Sequence, residues 1–154
     1  MVTVGLDVGD RRIGVAVSDP GGTLATPHGV IQRRSKAEDF ASVVQLVQTL
    51  AAALVVVGLP LSLDGGMGPQ ARRVARYAKS LARELSVPVE LVDERYSTTT
   101  ADALLVEAGR KHHVPIDAAA AAVILQDYLD RQPRQEHAGP PRARENCAED
   151  ACNA

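Results

Sequence analysis

The sequence predicts an α/β domain built on a mixed sheet, in which three antiparallel strands are followed by two parallel strands. Three short apolar segments, residues 2–8, 13–19 and 23–31, come first and are separated by reversals that contain glycine. After residue 35 the apolar period becomes that of helices, which alternate with two further short apolar runs. Because a meander pairs its strands antiparallel and helical crossovers pair them parallel, the two patterns together predict a five-stranded mixed sheet flanked by helices.

The first three strands are predicted from their apolar residues and from the turns between them. Val2, Val4 and Leu6 alternate along the first strand, and a polar stretch over residues 9–12 separates it from the second. The segment "DPGG" at residues 19–22 then marks the reversal into the third strand, because proline and glycine favour tight turns. Two close reversals predict an antiparallel meander.

The second half of the domain is predicted from caps and helical spacing. Ser35 to Glu38 has the form of a capping box, and apolar residues follow it at helical intervals. Residues 54–57 form a continuous apolar run, which is typical of a strand buried on both faces. A helix is expected over residues 69–85, a second buried strand over 88–92, a helix over 100–108, and a last helix from Asp117, its expected N-cap, to Leu129.

Composition narrows the class of protein. The 154 residues suit one compact domain over residues 1–130, and the polar segment 131–154 is expected to be a disordered tail. No apolar run is long enough to cross a membrane and no signal peptide is evident, so the predicted location is cytoplasmic and no membrane partner is expected. Cys147 and Cys152 lie in the polar tail and suggest neither a disulfide framework nor a zinc site. The net charge of −2 gives no global attraction to nucleic acid, so such binding must rest on local patches.

Acidic residues stand where strands and helices of the predicted sheet end or begin. Asp7 interrupts a buried strand, and a buried carboxylate needs a cation, hydrogen-bond donors or a metal ion as its partner. Asp93 and Glu94 end the last strand, and Asp117 opens the last helix. Since sites in such sheets form at the carboxyl ends of parallel strands, these acids are expected to converge at one edge.

Simpler structural roles are also open to these acids. Asp7 could cap the adjacent turn or pair with Arg11 or Arg12. Asp117 could serve only as the cap of its helix. Asp93 and Glu94 would point to opposite faces of a continued strand, so one of them could simply pair with a neighbouring arginine; Glu94 is the preferred site residue.

The chain resembles the YqgF/RuvX family over residues 2–130. The resemblance rests on four segments that occur in the family's order: "GLDVGDRRIGVAVSD", "VVGLPLSLDGGMGPQA", "DERYSTTTA" and "DAAAAAVILQDYLD". That family has a ribonuclease H-like fold related to the RuvC Holliday-junction resolvases. The resemblance implies a metal-dependent nuclease that matures the 5′ end of 16S ribosomal RNA, with junction resolution as an alternative. It also implies that Asp7, Glu94 and Asp117 are the catalytic residues and the ligands of Mg²⁺ or Mn²⁺. Phosphodiester hydrolysis with two such ions uses one to activate water and one to stabilise the leaving oxygen.

Residues expected to contact substrate lie beside these acids or on the second helix. The loop "SLDGGMG" could cradle phosphates with its backbone amides or be only a connector, and it lacks the lysine and serine of a nucleotide P-loop. Basic residues on one face of the second helix could meet a phosphate backbone or form a solvated face. The expected substrate-binding residues are Arg11, Arg12, Gly65, Gly68, Arg72, Arg76, Arg95, Ser97 and Thr98.

The expected partner is nucleic acid, with RNA preferred and DNA possible. Three tyrosines, one phenylalanine and no tryptophan offer little for base stacking, which favours recognition of the backbone. The helices spend most of their apolar residues on the sheet, so a monomer or a weak homodimer is expected. Two other classes stay open: a non-catalytic RNA-binding or assembly module, and an actin-like ATPase, whose first phosphate motif the opening segment also resembles.

Overall fold

A computed structural model describes residues 1–61, 65–93 and 115–132 of the chain. Its elements are β1 (Thr3–Val8), β2 (Arg12–Ser18), β3 (Ala25–Gln32), α1 (Lys36–Leu50), β4 (Leu54–Leu59), α2 (Pro69–Glu84), β5 (Val89–Asp93) and α3 (Ile116–Arg131). The helix predicted over residues 100–108 and the tail beyond residue 132 lie outside the described residues, so both stay predictions. None of the helices within the described ranges is long and apolar enough to cross a membrane.

The five strands form one mixed sheet in the order β3-β2-β1-β4-β5. β1 pairs antiparallel with β2, and β2 pairs antiparallel with β3. β4 pairs parallel with β1 on its other side, and β5 pairs parallel with β4. The predicted fold class, three antiparallel strands followed by two parallel ones, is therefore confirmed. The order places the carboxyl ends of β1, β4 and β5 at one edge.

Apolar residues cover the sheet on both faces. On one face α1 and α2 pack over a valine-rich layer that includes Val4, Leu6, Val55 and Val57. On the other face α3 packs over Ala16, Leu54, Val56 and Val92. Successive residues of a strand point to opposite faces, which explains why β4 is buried along its whole length, as the continuous apolar run predicts.

The prediction that β5 is buried like β4 is wrong. Only Val92 is buried among its five residues, and Glu90 and Leu91 are exposed. The reason is strand order: within the described part of the sheet β5 pairs with β4 alone and forms the edge. An apolar run in the sequence does not reveal whether a strand has one neighbour or two.

The start of α1 confirms the predicted cap. Ser35 is the N-cap, and its hydroxyl accepts a hydrogen bond from the backbone N–H of Glu38 at 3.2 Å. Such a cap satisfies one of the amides that an α-helix leaves without a partner at its N-terminus.

The third helix lies unusually close to β1 and β2 because the strands present small residues to it. A Cβ atom added at Gly14 would lie 1.8 Å from the backbone oxygen of Asp117, and one added at Gly5 would lie 2.8 Å from the Cβ of Leu125. Farther along the helix, Gln126 accepts a hydrogen bond from the backbone N–H of Ala25 at 2.9 Å and donates one to the carbonyl of Thr23 at 3.0 Å. The close contacts at Gly14 and Gly5, together with the hydrogen bonds of Gln126, fix α3 on the sheet.

Gly14→Ala is expected to destabilise the protein by about 2 kcal/mol or more, because a methyl group cannot fit against the backbone of α3 without moving the helix. Gly29→Ala is the matched control, since it also lies in an antiparallel strand and an added Cβ there meets no atom within 4 Å. Urea denaturation of both variants measures the difference. Equal losses of stability in the two variants would show that the close approach of α3 does not limit residue 14.

Candidate active site

Asp7 lies near the carboxyl end of β1, on the face covered by α3. Its strand neighbours Leu6 and Val8 belong to the core under α1 and α2, so Asp7 points the other way. Its partner in the antiparallel register is Gly14, the residue against which the start of α3 packs. The half-buried carboxylate makes no ion pair with Arg11 or Arg12, which removes that simpler explanation.

Asp117 approaches Asp7 from the first turn of α3. Pro115 is the N-cap of this helix, so the prediction that Asp117 is the cap is wrong: Ile116 and Asp117 already lie within the helix. Burial raises the pKa of Asp7, and the nearby negative charge of Asp117 raises it further. The structure thus brings two of the three predicted acids together.

Arg12 pairs with Asp117. Its Nε atom lies 2.9 Å from Oδ2 of Asp117, and the two side chains are 57% and 35% exposed. An ion pair this exposed contributes at most about 1 kcal/mol, because water screens it and both side chains lose freedom. Arg12, predicted to bind substrate, is therefore a counterion of Asp117 that another cation could replace at small cost.

The third acid is not in the described part of the chain. Glu94, Arg95, Ser97 and Thr98 lie outside it, and no group of three or more potential metal ligands occurs among the described residues. Asp93 is described, and its register partner is Leu59, which packs under α1 and α2. Paired residues share a face, so the register position of Asp93 is opposite that of Asp7. Its carboxylate nevertheless lies within electrostatic reach of α3, because burial and then the charges of Asp130 and Asp93 raise the pKa of Asp127 on that helix.

The other predicted substrate residues that the structure describes make no ion pair with Asp7 or Asp117. Gly65 has a φ of +89°, a backbone conformation that favours glycine, and Gly68 is the N-cap of α2. Arg72 and Arg76 are exposed on α2, whose buried side contacts the opposite face of the sheet. Arg11 is exposed in the turn after β1, and its carbonyl accepts a hydrogen bond from the backbone of Arg33 at 2.8 Å.

The structure also contains an arginine site that the sequence interpretation missed. Arg33 donates from Nε to Oδ2 of Asp39 at 2.9 Å and from its terminal nitrogen to the carbonyl of Gly9 at 2.8 Å, and its guanidinium lies 4.8 Å from the ring centre of Tyr77. Asp39 is only 1% exposed. A signal was present in the sequence: Asp39 precedes the core residues Val43 and Val47 by one and two helical turns, so it occupies a core-facing position.

We expect Asp7→Asn to raise the melting temperature in the presence of a chelator at pH 7. Folding raises the pKa of Asp7 above its ordinary 3.8, so the folded state binds the proton more tightly and the charged carboxylate costs stability once the pH exceeds the folded pKa. The gain from the variant should therefore shrink as the pH falls and vanish below about 3.8, where both states are protonated.

Asp19→Asn provides the opposite control. Backbone hydrogen bonds from Leu24 and Thr23 lower the pKa of Asp19, so its charge stabilises the folded state at neutral pH and that contribution is lost as the pH falls through the folded pKa. Its substitution should lower the melting temperature at pH 7. Melting curves from pH 3 to pH 8 test both signs, and a less stable Asp7→Asn at pH 7 would contradict the electrostatic cost assigned to the acid pair.

Comparison with known proteins places the chain in a family. A family model described as "RuvX: Holliday junction resolvase" matches residues 1–131. A protein of Synechococcus sp. (strain JA-2-3B'a(2-13)) is 48% identical over 132 residues, which cover 84% of this chain and 78% of the relative. A protein of Chloroflexus aurantiacus is 43% identical over 145 residues, which cover 90% of this chain and 95% of the relative. Both relatives carry the name "Putative pre-16S rRNA nuclease".

Two solved resolvases share the fold. T. thermophilus RuvC in complex with a Holliday junction substrate has a TM-score of 0.60 at 18% identity, covering 84% of this chain and 94% of that chain. The Fowlpox virus resolvase in complex with Holliday junction DNA has a TM-score of 0.54 at 10% identity, covering 84% of this chain and 97% of that chain. At these identities the likeness shows the fold alone. The family model and the close relatives go further, and they confirm the assignment that the sequence motifs predicted: the chain belongs to the RuvX family.

Proposed function

We propose that the protein is a metal-dependent nuclease that hydrolyses phosphodiester bonds in precursor 16S ribosomal RNA. The observation that carries the proposal is the approach of Asp7 and Asp117 at the carboxyl edge of the sheet. Burial and the nearby charge of Asp117 both act against the charged form of Asp7, and the only counterion of Asp117 among the described residues is one exposed arginine. Such an arrangement costs stability unless a cation occupies it.

The donor set suits Mg²⁺ or Mn²⁺. These hard cations take oxygen ligands and keep several water molecules, so two or three carboxylates and a substrate phosphate suffice. When bound, such an ion activates water and stabilises the charge on the leaving oxygen. Asp7 and Asp117 would hold it, with Glu94 as the third ligand. Asp93 is the weaker candidate because its register position lies on the opposite face, which favours Glu94 as the third ligand.

Arg12 would change partner in the working enzyme. Arg12 would release Asp117 once that carboxylate held a cation, and its guanidinium would then be available to a phosphate of the substrate. The exchange is inexpensive because the present ion pair is exposed. This exchange would let Arg12, which lies beside the acids, also bind substrate as the sequence predicts.

RNA is favoured over a four-way DNA junction as the substrate. The relatives that cover most of this chain are named for precursor ribosomal RNA. A resolvase must cut two symmetric strands, which calls for a two-fold dimer with a substantial interface. The large apolar side chains exposed in the described ranges come from five separate places in the chain: Met1, Leu24, Met67, Leu91 and Ile116. A monomer or weak dimer with one active site per strand fits RNA cleavage better.

Substitution of Asp7, Glu94 or Asp117 by the matching amide is expected to reduce cleavage at least about 100-fold, because shape is kept while the charge that holds the cation is removed. The same variants should lose the rise in melting temperature that Mn²⁺ gives the unmodified protein. Asp93→Asn is the control and should keep both properties. Loss of activity in Asp93→Asn with retention in Glu94→Gln would exchange the two residues in the site.

Digestion of precursor 16S RNA and of a four-way DNA junction, side by side with Mn²⁺ and at matched salt, tests the substrate. We expect cleavage of RNA and little cutting of the junction, and equal salt is needed because phosphate contacts make affinity depend on ionic strength. Symmetric paired nicks in the junction with intact RNA would favour the resolvase instead. Binding without cleavage of either, in every metal, would favour a non-catalytic RNA-binding module.

A further inference from the structure

A cationic cavity lies on the opposite side of the sheet edge from the acid pair. It has a volume of about 250 Å³ and is formed by the end of β1, the start of α1 and the first turns of α2. Four of its lining side chains are basic: Arg33, Lys36, Arg73 and Arg76. It is smaller than the roughly 300–1,000 Å³ of typical ligand pockets, which favours a small group over a whole cofactor.

The basic side chains of the cavity exceed its acidic ones. Asp10 is the one acid in the lining, and Asp39 beneath the cavity is already paired with Arg33. Lys36, Arg73 and Arg76 are exposed and make no ion pair with any residue in the described ranges. Even with both acids counted against them, two positive charges remain without a counterion in the described part of the chain. A protein with a net charge of −2 thus carries a concentrated positive site at this edge.

Tyr77 gives an independent indication of a ligand. It lines the cavity and is only 3% exposed, yet its hydroxyl has no hydrogen-bond partner among the described residues. A buried hydroxyl nearly always has a partner, because leaving it unpaired is costly. Arg33 stacks on the same ring and is held by Asp39 and Gly9, so the polar groups of the cavity floor are fixed in place. An oxyanion bound in the cavity would supply an acceptor for the Tyr77 hydroxyl once the side chains that shield its oxygen from solvent move aside.

We propose that this cavity binds a phosphate group of the nucleic-acid strand, a few nucleotides away from the bond that is cut. The inference rests on the proposed function, because it places the cavity on the path of the same substrate. Residues 8–10 line the cavity, and Asp10 lies three residues after Asp7, so the chain between them spans at most about 10 Å, because β1 ends at Val8 and turns where the Gly9 N–H bonds to the Arg12 carbonyl. At the roughly 3.4 Å rise per nucleotide of a duplex strand, that span is at most about three nucleotides, and a more extended single strand would cover it with fewer. A strand that crosses the turn between β1 and β2 would therefore reach both sites.

The test compares two double variants of α2 in the presence of a chelator, where binding is measured without cleavage. Arg73→Gln with Arg76→Gln removes two cavity charges, whereas Lys79→Gln with Arg83→Gln removes two charges from the same helix outside the cavity. All four side chains are exposed, so both variants should fold. Affinity for a single-stranded RNA oligonucleotide is measured by fluorescence anisotropy at several salt concentrations.

The cavity variant is expected to bind RNA at least about tenfold more weakly, the effect of losing one charge-assisted hydrogen bond. Its salt slope should fall by about 0.7 for each phosphate that the variant no longer neutralises, and the control should keep the slope of the unmodified protein. Equal changes in both variants would show that a diffuse basic face binds RNA, and an unchanged cavity variant would show that the cavity binds none. Either result overturns the proposal.

Tyr77→Phe gives a second test, in which the stability of the free protein and its affinity for RNA are expected to change in different directions. It should leave the melting temperature of the free protein unchanged or raised, since an unpaired buried hydroxyl is removed, while it weakens RNA binding. A lower melting temperature with unchanged binding would show that the hydroxyl is structural.

The source of the phosphate is tested with inorganic phosphate and a nucleoside monophosphate. If these raise the melting temperature through Arg73 and Arg76 while RNA binding ignores both residues, the cavity serves a small phosphate compound and the proposal fails. Asp7→Asn separates the two proposals, because it should abolish cleavage but keep the dependence of RNA binding on the cavity. A protein that cleaves nothing yet binds RNA through the cavity would refute the nuclease and retain the binding site.

Discussion

The seating of α3 on the glycine residues of β1 and β2 is the contact on which the candidate site depends. The backbone of α3 meets the strand backbone at Gly14, where there is no room for a Cβ atom. Farther along the helix, Gly5 makes a similar close contact with Ala121 and Leu125. The alanines of α3 that face the sheet keep this approach close. It delivers Asp117 to Asp7 across two elements that are about 100 residues apart in sequence. The first turn of α3 also lends its positive dipole end to the carboxylates, which partly offsets their repulsion.

The charge of Asp7 beside Asp117 lowers the stability of the folded domain. A half-buried carboxylate beside another is unfavourable when no cation is bound to them, and the raised pKa of Asp7 reflects this. The sheet can carry it because both of its faces are covered by apolar layers that do not involve the acids. Arg12 limits the cost without closing the site, since its ion pair is exposed and easily exchanged. Strain of this kind is characteristic of functional sites, where binding relieves what folding leaves unsatisfied.

The sequence predicted the fold well because its signals are local. Apolar period, turn residues and the Ser35 cap each act within a few residues, and they specify the elements and the mixed pairing. Two features depend instead on long-range order. The edge position of β5 follows from the order of strands in space, and the pairing of Arg12 with Asp117 follows from where α3 lands. Asp39 was missed for a different reason: an acid in the first turn of a helix is usually solvated, and only its spacing from Val43 and Val47 indicated burial.

The two sites at the sheet edge have opposite charge, and their order of filling follows from this. In the proposed function, Asp7 and Asp117 without a bound cation would repel a phosphate, while the cavity lined by Arg73 and Arg76 would attract one. A nucleic-acid strand that reached both the acid pair and the cavity would gain binding free energy from both only after a cation neutralised the acids. Metal and nucleic acid should then strengthen each other's binding, and linkage requires the two effects to be equal. The sheet between the sites keeps their charges apart, so Arg73 and Arg76 do not simply neutralise the acids. In this proposal, one face of the sheet edge would hold the nucleic-acid strand and the other would cut it.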